Sequence, residues 1–396
     1  MVKLRIRVLF AMLAAGLLAA PLLTASAVAQ DKAETKAKAA EETQTPRIQL
    51  AILLDTSGSM QGLINQTRTQ LWKIVNELAT AEQNGKVPNL EVALYEYGKS
   101  SLPKQDGYLR MIVPLSDDLD KLSEELFALS TNGGQEYCGQ TIMDATKNLK
   151  WSDSESDLKL IYIAGNEPFN QGSVNYQDAC KAAIEKGITV NTIFCGPEAE
   201  GIRTSWQAGA QLADGSFLSI DQNRQVAAIK TPFDKKLATL SSAVNKTYVT
   251  YGKAEKRNNA TKRQLAADSA AKSAAPAAAA ERAAFKGRSQ YRAAADLLDA
   301  LKGGKVKLKD IKDEELPKEL QKKSLAEKKT IIEAKGKERT RIQKELRTLA
   351  DQRKKYIAAE RKKQATGEKG DTLDGAIIKS VRAQAARKKF KFQEEN

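Results

Sequence analysis

The hydrophobic pattern of the chain predicts an α/β domain over residues 47–252. Short apolar runs typical of buried strands alternate with stretches whose apolar residues recur every three or four positions, as in helices. Such alternation favours a doubly wound, mainly parallel, Rossmann-like sheet covered on both faces. The predicted strands are 50–54, 90–94, 109–113, 158–164, 188–194 and 217–220, the second and third forming a hairpin-like pair, and the predicted helices are 60–78, 116–129, 175–186, 206–212 and 233–249.

After residue 252 the pattern becomes charged and helical. We predict an alanine-rich basic linker over 253–288 and a basic helical tail over 289–396. In the tail, Ser324 and Glu327 have the spacing of a capping box that begins a long helix. The apolar positions of that helix form a narrow, coiled-coil-like seam, and we expect the last two helices to pair antiparallel. The seam is Ile342, Leu346, Leu349 and Tyr356, and the stripe of the final helix is Leu373, Ile377, Val381 and Ala385.

The N-terminus has the pattern of a secretory signal over residues 1–29. Basic residues precede an apolar stretch at 8–23, and Ala27-Val28-Ala29 resembles a cleavage site. Residues 30–46 lack an apolar period, and we predict a disordered spacer there. No later stretch is long and apolar enough to span a bilayer. We therefore expect an exported protein, periplasmic or secreted, without a transmembrane helix in its mature chain.

Charge divides the chain into two parts. The net charge is +15, and residues 253–396 hold 39 basic and 21 acidic residues, a net of +18. An acidic domain thus precedes a basic tail, which we expect either to contact an anionic envelope surface or to be a solvated helical surface. Nucleic acid is an unfavoured partner, because export is predicted and aromatic residues are not interleaved with the basic ones.

The polar turn after the first predicted strand carries the clearest candidate chemistry. Asp55, Ser57 and Ser59 offer a carboxylate and two hydroxyls at alternate positions. These are hard oxygen donors of the kind that hold Mg²⁺, Ca²⁺ or Mn²⁺. The alternative is a metal-free turn in which Asp55 and Ser57 cap the following helix.

The segment Asp55-Thr56-Ser57-Gly58-Ser59 resembles the DxSxS motif of von Willebrand factor type A (VWA) domains. The resemblance implies a metal-ion-dependent adhesion site (MIDAS), with Mg²⁺ as the first expectation and Ca²⁺ or Mn²⁺ as alternatives. It also implies a protein partner that offers an acidic side chain to the metal. The segments 231–252 and 295–317 are similar to exported bacterial VWA proteins with basic helical tails, a group without an established activity.

Two further loops complete the site that the resemblance implies. In the first, the family commonly has Gly-Gly-Thr, whereas this chain has Gln135 and Glu136 after its glycines. Glu136 is our candidate ligand there, with Thr141 second. In the second, Asn166 stands where the family often has an aspartate, and Glu167 follows it. The alternative for both glutamates is that they are solvated loop acids.

Histidine and cysteine content limits the other classes of function. The chain has no histidine, which excludes His-based triads and HExxH zinc peptidases. Cys138 and Cys195 fall at the same end of the predicted sheet, so a disulfide between them and free thiols are both compatible with the sequence. Cys180 lies in a helical pattern and is expected to be a buried small hydrophobe.

The sequence favours a non-enzymatic, divalent-metal-dependent protein-binding or adhesion module of the cell envelope. A metal-independent scaffold of an envelope complex, with the basic tail as its main contact surface, is the alternative. A hydrolase using a metal-bound water would need Glu136 or Glu167 as its general base. Because no other base is available, an enzyme is not expected.

Overall fold

The central sheet of the computed structural model confirms the predicted α/β fold. The structure describes residues 45–220, 229–274, 276–288, 291, 295–364 and 373–392, so the predicted signal segment and most of the spacer lie outside it. The strands of the described chain are β1 Arg47–Asp55, β2 Ala81–Gln83, β3 Asn89–Tyr97, β4 Leu109–Ser116, β5 Leu158–Gly165, β6 Thr189–Phe194, β7 Phe217–Ser219 and β8 Phe390–Phe392.

The main sheet has six strands in the order β4-β3-β1-β5-β6-β7. All neighbours are parallel except β3 and β4, which form the predicted antiparallel pair. In the register of β1 with β3, Asp55 lies opposite Tyr97, and in that of β1 with β5, Leu54 lies opposite Ala164. The carboxyl ends of three parallel strands therefore meet at one edge, where ligands of such sheets bind.

Helices cover both faces of the sheet because β1, buried after Arg47, sends alternate side chains to two separate cores. Leu50 and Ile52 belong to one core, and Ala51 and Leu53 to the other. The helices of residues 45–220 are α1 Ile64–Leu78, α2 Leu119–Ala128, α3 Cys138–Asn148, α4 Tyr176–Glu185, α5 Glu198–Arg203 and α6 Trp206–Leu212. The first core lies under α1 and α2, and the second lies under α3, α4 and α6.

The helices after residue 229 are α7 Asp234–Asn245, α8 Ala254–Ala274, α9 Pro276–Lys286, α10 Leu297–Lys302, α11 Leu325–Gln364 and α12 Leu373–Arg387. In the structure the helical tail comprises α8 to α12, of which α8, α9 and α12 pack against the first core. The segment 253–288, for which we expected a linker, forms α8 and α9, and these helices contact α2 and α1. Small alanine side chains allow this close packing, with Ala271 and Ala278 fully buried. Among the described residues, no helix combines the length and apolar character needed to cross a membrane.

The expected pairing of the last two helices is wrong. The seam residues Ile342, Leu346 and Leu349 of α11 pack on α7 and α9 instead. Ile377, Val381 and Ala385 of the α12 stripe enter the first core, where α12 contacts α1 and β7. Each helix thus buries its apolar face against more than one other element, α11 against α7 and α9 and α12 against α1 and β7, which removes more apolar surface from water than a narrow two-helix seam.

The sequence predicted the N-terminal caps of two helices, and the structure confirms one of them. The capping box is confirmed, since Ser324 N donates to Glu327 Oε2 at 2.8 Å and Glu327 N donates to Ser324 Oγ at 3.3 Å. The helix predicted over 116–129, with Ser116 as its expected N-cap, begins two residues later than predicted. The N-cap of α2 is Asp118, whose carboxylate accepts from Lys121 N, while Ser116 accepts from Asp118 N.

Candidate metal centre

The turn after β1 brings the first three candidate residues to the edge of the sheet. Asp55 ends the strand, a short 3-10 turn over Gly58–Gly62 follows, and α1 begins at Ile64. Thr56 N donates to Tyr97 O at 2.8 Å, which ties the turn to the end of β3. The side chains of Asp55 and Ser57 are buried, and that of Ser59 is exposed.

Hydrogen bonds join the side chains of the turn to the loop after β5. Ser57 N donates to Asp55 Oδ1 at 2.7 Å. The two serine Oγ atoms are 2.9 Å apart, and Ser59 Oγ donates to Asn166 Oδ1 at 2.9 Å. The structure therefore brings Asn166 together with Ser57 and Ser59, so that one amide oxygen and two hydroxyls form a continuous polar row.

The Asp55 carboxyl is buried in an environment that lacks compensating charge. Burial raises its pKa from 3.8 to about 7, and hydrogen bonds from Ser57 and the Asn166 backbone offset only part of that change. Its Oδ2 atom is buried without a hydrogen-bond partner among the described residues. A buried carboxylate oxygen without a partner is costly, which indicates a group for which a cation would be a favourable neighbour.

Glu136 lies beside Asp55, although the two are far apart in sequence. Its pKa is raised from 4.5 to about 7, first by burial and then by the charges of Asp55 and Glu167. A hydrogen bond from the Ser57 side chain acts in the opposite direction. The charge of Asp55 thus raises the pKa of Glu136, and the charge of Glu167 raises the pKa of both. Neighbouring carboxyls with raised pKa values are typical of a site that binds a positive ion.

Thr141 and Glu167, the second candidate ligands of their two loops, have different surroundings. Thr141 is buried in α3, and its hydroxyl donates to Tyr137 O at 2.9 Å. Its oxygen is thus already engaged in the helix. Glu167 is half-buried and lines a cleft with Ser59 and Asn166, and its charge acts on both Asp55 and Glu136. The structure thus groups Glu167 with Ser59 and Asn166, whereas the hydroxyl of Thr141 is used within its own helix.

The donor set fits a hard divalent cation. Asp55, Ser57, Ser59, Glu136 and Asn166 supply carboxylate, hydroxyl and amide oxygens, the ligands that Mg²⁺, Ca²⁺ and Mn²⁺ prefer. No group of three or more His, Cys, Asp or Glu residues suited to a metal occurs within the described part of the chain. The candidate therefore depends on serine and asparagine oxygens as much as on carboxylates.

Gly98 makes room for the two carboxyls, which gives a first prediction. Its φ is +80°, and a β-carbon there would lie 2.7 Å from Asp55 Oδ1 and 3.0 Å from Glu136 Cγ. Gly98→Ala should combine the left-handed backbone cost of about 1–2 kcal/mol with displacement of both carboxyls. We expect urea denaturation to show a larger loss of stability than for Gly85→Ala, and Mg²⁺ titration to show weaker binding.

Gly85 is the matched control for that substitution. Its φ is +71°, but nothing lies within 4 Å of an added β-carbon, so only the backbone cost remains. Equal losses of stability and equal Mg²⁺ affinities in the two variants would show that Gly98 has no role in the site.

The Cys138–Cys195 disulfide is not formed in the structure, where both thiols and that of Cys180 are free and buried. Cys138 belongs to the second core and is 3.7 Å from Tyr97 Oη, whereas Cys195 belongs to the first core and is 3.3 Å from Thr67 Oγ1. The two residues share an end of the sheet, as the sequence indicated, but lie on opposite faces.

One supporting residue was missed by sequence reasoning. Glu96 is fully buried one residue before the end of β3, and its carboxylate accepts from Thr56 Oγ1 at 3.2 Å. It also pairs with Arg110 and, at 3.4 Å, with Lys99. The signal in the sequence was an acidic residue inside an apolar strand. Its charge is stabilised because β4 supplies Arg110 and the loop between β3 and β4 supplies Lys99.

Comparison with known proteins identifies the domain. A family model of the von Willebrand factor type A domain matches residues 49–202. Among solved structures, the chain is similar to the conserved hypothetical protein BatB from Bacteroides thetaiotaomicron, with 18% identity over 44% of this chain and 90% of that chain and a TM-score of 0.35. A search of curated proteins found no significant match.

Two further solved structures are similar to parts of the chain. The SpRpn10 VWA domain shares 18% identity over 46% of this chain and 91% of that chain, with a TM-score of 0.35. Proximal thread matrix protein 1 from the mussel byssus, with a zinc-occupied MIDAS motif, shares 11% identity over 46% of this chain and 43% of that chain, with a TM-score of 0.34. From the family match and the doubly wound fold, residues 49–202 of this chain form a von Willebrand factor type A domain.

Proposed function

We propose that this protein is a non-enzymatic binding module that depends on a divalent cation, with Mg²⁺ as the first expectation. VWA domains commonly serve in protein interaction or adhesion. The observation that carries the proposal is a hydrogen-bonded row of Ser57, Ser59 and Asn166 beside the Asp55 carboxyl, whose Oδ2 is buried without a hydrogen-bond partner among the described residues. Glu136 is near enough for the charge of Asp55 to raise its pKa. The partner is a protein that offers an acidic side chain.

Each residue of the centre has a role in this proposal. Ser57, Ser59 and Asn166 would hold the cation through neutral oxygens, and Asp55 and Glu136 would compensate its charge. The cation would supply a coordination position for the partner's carboxylate. Neutral ligands leave positive charge available to an acidic partner, which favours recognition over tight metal storage. Because the site presents these groups without a histidine base, binding rather than turnover is its expected activity.

The N-terminus and the helical tail suggest where the protein would act. Because of the predicted signal segment, we expect the protein outside the cytoplasm, in a periplasm or secreted. Exposed basic residues of α11, among them Lys329, Lys337 and Lys344, would contact an anionic envelope surface. The alternative function is a metal-independent scaffold, and it is supported by the close packing of the tail helices on the domain.

Calorimetric titration with Mg²⁺, Mn²⁺ and Ca²⁺ tests the metal dependence. We expect saturable binding by the wild type and none by the Ser57→Ala/Ser59→Ala double variant, because two of the neutral ligands are removed. Thr239→Ala/Ser242→Ala is the matched control, since both hydroxyls are exposed on α7, away from the site. Binding that survives in the Ser57→Ala/Ser59→Ala variant, or is absent from the wild type, would favour the scaffold.

A further inference from the structure

A cleft of about 390 Å³ opens directly beside the candidate metal centre. Ser59 and Asn166 line both the cleft and the centre. Pro168 and Pro197 give the cleft apolar walls, and Phe194, which is almost fully buried, also lines it. A volume of this size lies within the range of pockets that accept small ligands or side chains. When an acidic side chain of a partner binds at the centre, another side chain of that partner would therefore lie next to this cleft.

The charged groups of the cleft are two carboxylates and one guanidinium, from Glu167, Glu200 and Arg203. Arg203 Nη2 is 3.1 Å from Glu200 Oε1, and the two side chains are 72% and 46% exposed. An ion pair with that exposure contributes little and exchanges partners readily. No ion pair of Glu167 is present among the described residues. The cleft thus carries one more negative than positive side chain, and Glu200 can pair with a basic side chain other than Arg203.

We propose that this cleft binds a lysine or arginine side chain of the same partner whose acidic side chain binds at the metal centre. The inference rests on the proposed function and adds the sequence pattern of the partner. In an extended peptide, side chains two positions apart point to the same side. An acidic residue above Ser59 and Asn166 would then place the side chain two positions away over the cleft. The aliphatic stem would pack on Pro168 and Pro197, and the charged end would reach Glu167 and Glu200.

Selection from a random-peptide phage library on the immobilised protein tests this pattern. Phage are bound in Mg²⁺ and eluted with EDTA. We expect the eluted peptides to be enriched in Asp or Glu with Lys or Arg two positions away. Acidic peptides without this basic preference would overturn the cleft assignment while supporting the metal-dependent function. A library that yields no EDTA-eluted peptides would overturn both.

Two substitutions in the cleft should change peptide affinity in opposite directions. The basic preference is the ratio of the affinity of an enriched peptide to that of its analogue with alanine at the basic position. Glu200→Gln should reduce this ratio by about threefold, the size expected of one exposed ion pair. Arg203→Gln should increase it, because Glu200 loses its competing partner. A structural disturbance would not produce opposite signs, so changes of the same sign would overturn the assignment.

Glu198→Gln is the matched control. Glu198 is exposed in the first turn of α5 and does not line the cleft. We expect its peptide preference to equal that of the wild type. Calorimetric Mg²⁺ affinity without peptide should be the same in all three variants, since none of them changes a proposed metal ligand. A loss of Mg²⁺ affinity in Glu200→Gln would place Glu200 in the metal site and overturn its role as a partner-binding residue.

Discussion

Replacement of Asp120 by alanine is expected to lower the free energy of unfolding by about 3–5 kcal/mol. Asp120 Oδ1 is 2.7 Å from Arg282 Nη2, and the two side chains are only 3% and 1% exposed. Tyr291 Oη also donates to Asp120, at 2.8 Å. Removal of the carboxylate leaves a guanidinium buried with one fewer counter-charge and a tyrosine hydroxyl without its acceptor. Equilibrium urea denaturation, followed by circular dichroism, measures the loss.

Asp117→Ala is the matched control for this prediction. Asp117 is 51% exposed and lies 3.8 Å from Lys305, so its removal should change stability by less than about 0.5 kcal/mol. The double variant Asp120→Leu/Arg282→Met should recover much of the lost stability, because it removes the buried guanidinium together with the Asp120 carboxylate, and Asp268 keeps Lys286 as its partner. A cost for Asp120→Ala as small as that of Asp117→Ala would contradict the role of this ion pair.

The consequence of this ion pair concerns the whole chain. Asp120 belongs to α2 of the VWA domain, whereas Arg282 belongs to α9 of the tail. Phe285 of α9 also packs on Trp72 of α1, with ring centroids 5.4 Å apart. The tail and the domain thus share one core, and Pro46–Asn396 forms one compact unit. We expect the Asp120 variant to unfold in a single transition, as a shared core requires.

The Asp55→Asn variant should be more stable than the wild type without metal, by an amount that grows with pH. Burial raises the pKa of Asp55 from 3.8 to about 7, so the folded protein keeps a proton that the unfolded chain releases. Wild-type stability therefore falls as the pH rises from about 4 to about 7, and asparagine, which does not ionise, avoids this loss. The gain should reach roughly 4 kcal/mol near pH 8 compared with pH 4.

Urea denaturation in EDTA at the two pH values measures this difference. Asp106→Asn is the control, because Asp106 is exposed on the turn before β4 and its replacement should change stability by less than about 0.5 kcal/mol. Added Mg²⁺ should stabilise the wild type but not Asp55→Asn, since ligand binding to the folded state raises its stability. A stability difference between Asp55→Asn and wild type that does not change with pH would contradict the buried, uncompensated carboxyl.

Much of the fold was predictable because its signals are local. Apolar runs of strand length and helical periodicities each depend on a few adjacent residues, and the six strands of the main sheet follow from them. The Asp55-to-Ser59 turn was also visible as an abrupt change from apolar to polar residues. The strand order places the loops of Glu136 and Asn166 near this turn, as the family resemblance implied.

Other features needed the tertiary structure because they depend on residues distant in sequence. The sequence placed Cys138 and Cys195 at one end of the sheet, but only the fold shows that they lie on opposite faces. Glu96 is an acid in an apolar strand whose burial is explained only by Arg110 and Lys99. These cases share one cause, which is that the compensating or separating group comes from another element.

The helical tail shows most clearly which features the sequence alone did not determine. Its amino acids determine that it is helical, since alanine and long charged residues favour helices and Ser324 with Glu327 begins the longest one. What the helices contact was decided by the domain. Alanine faces give no large apolar stripe from which a partner can be inferred, and the buried charges of α9 become favourable only next to Asp120 and Asp268. Local propensity fixes secondary structure, whereas shape and charge complementarity between distant segments fix the docking.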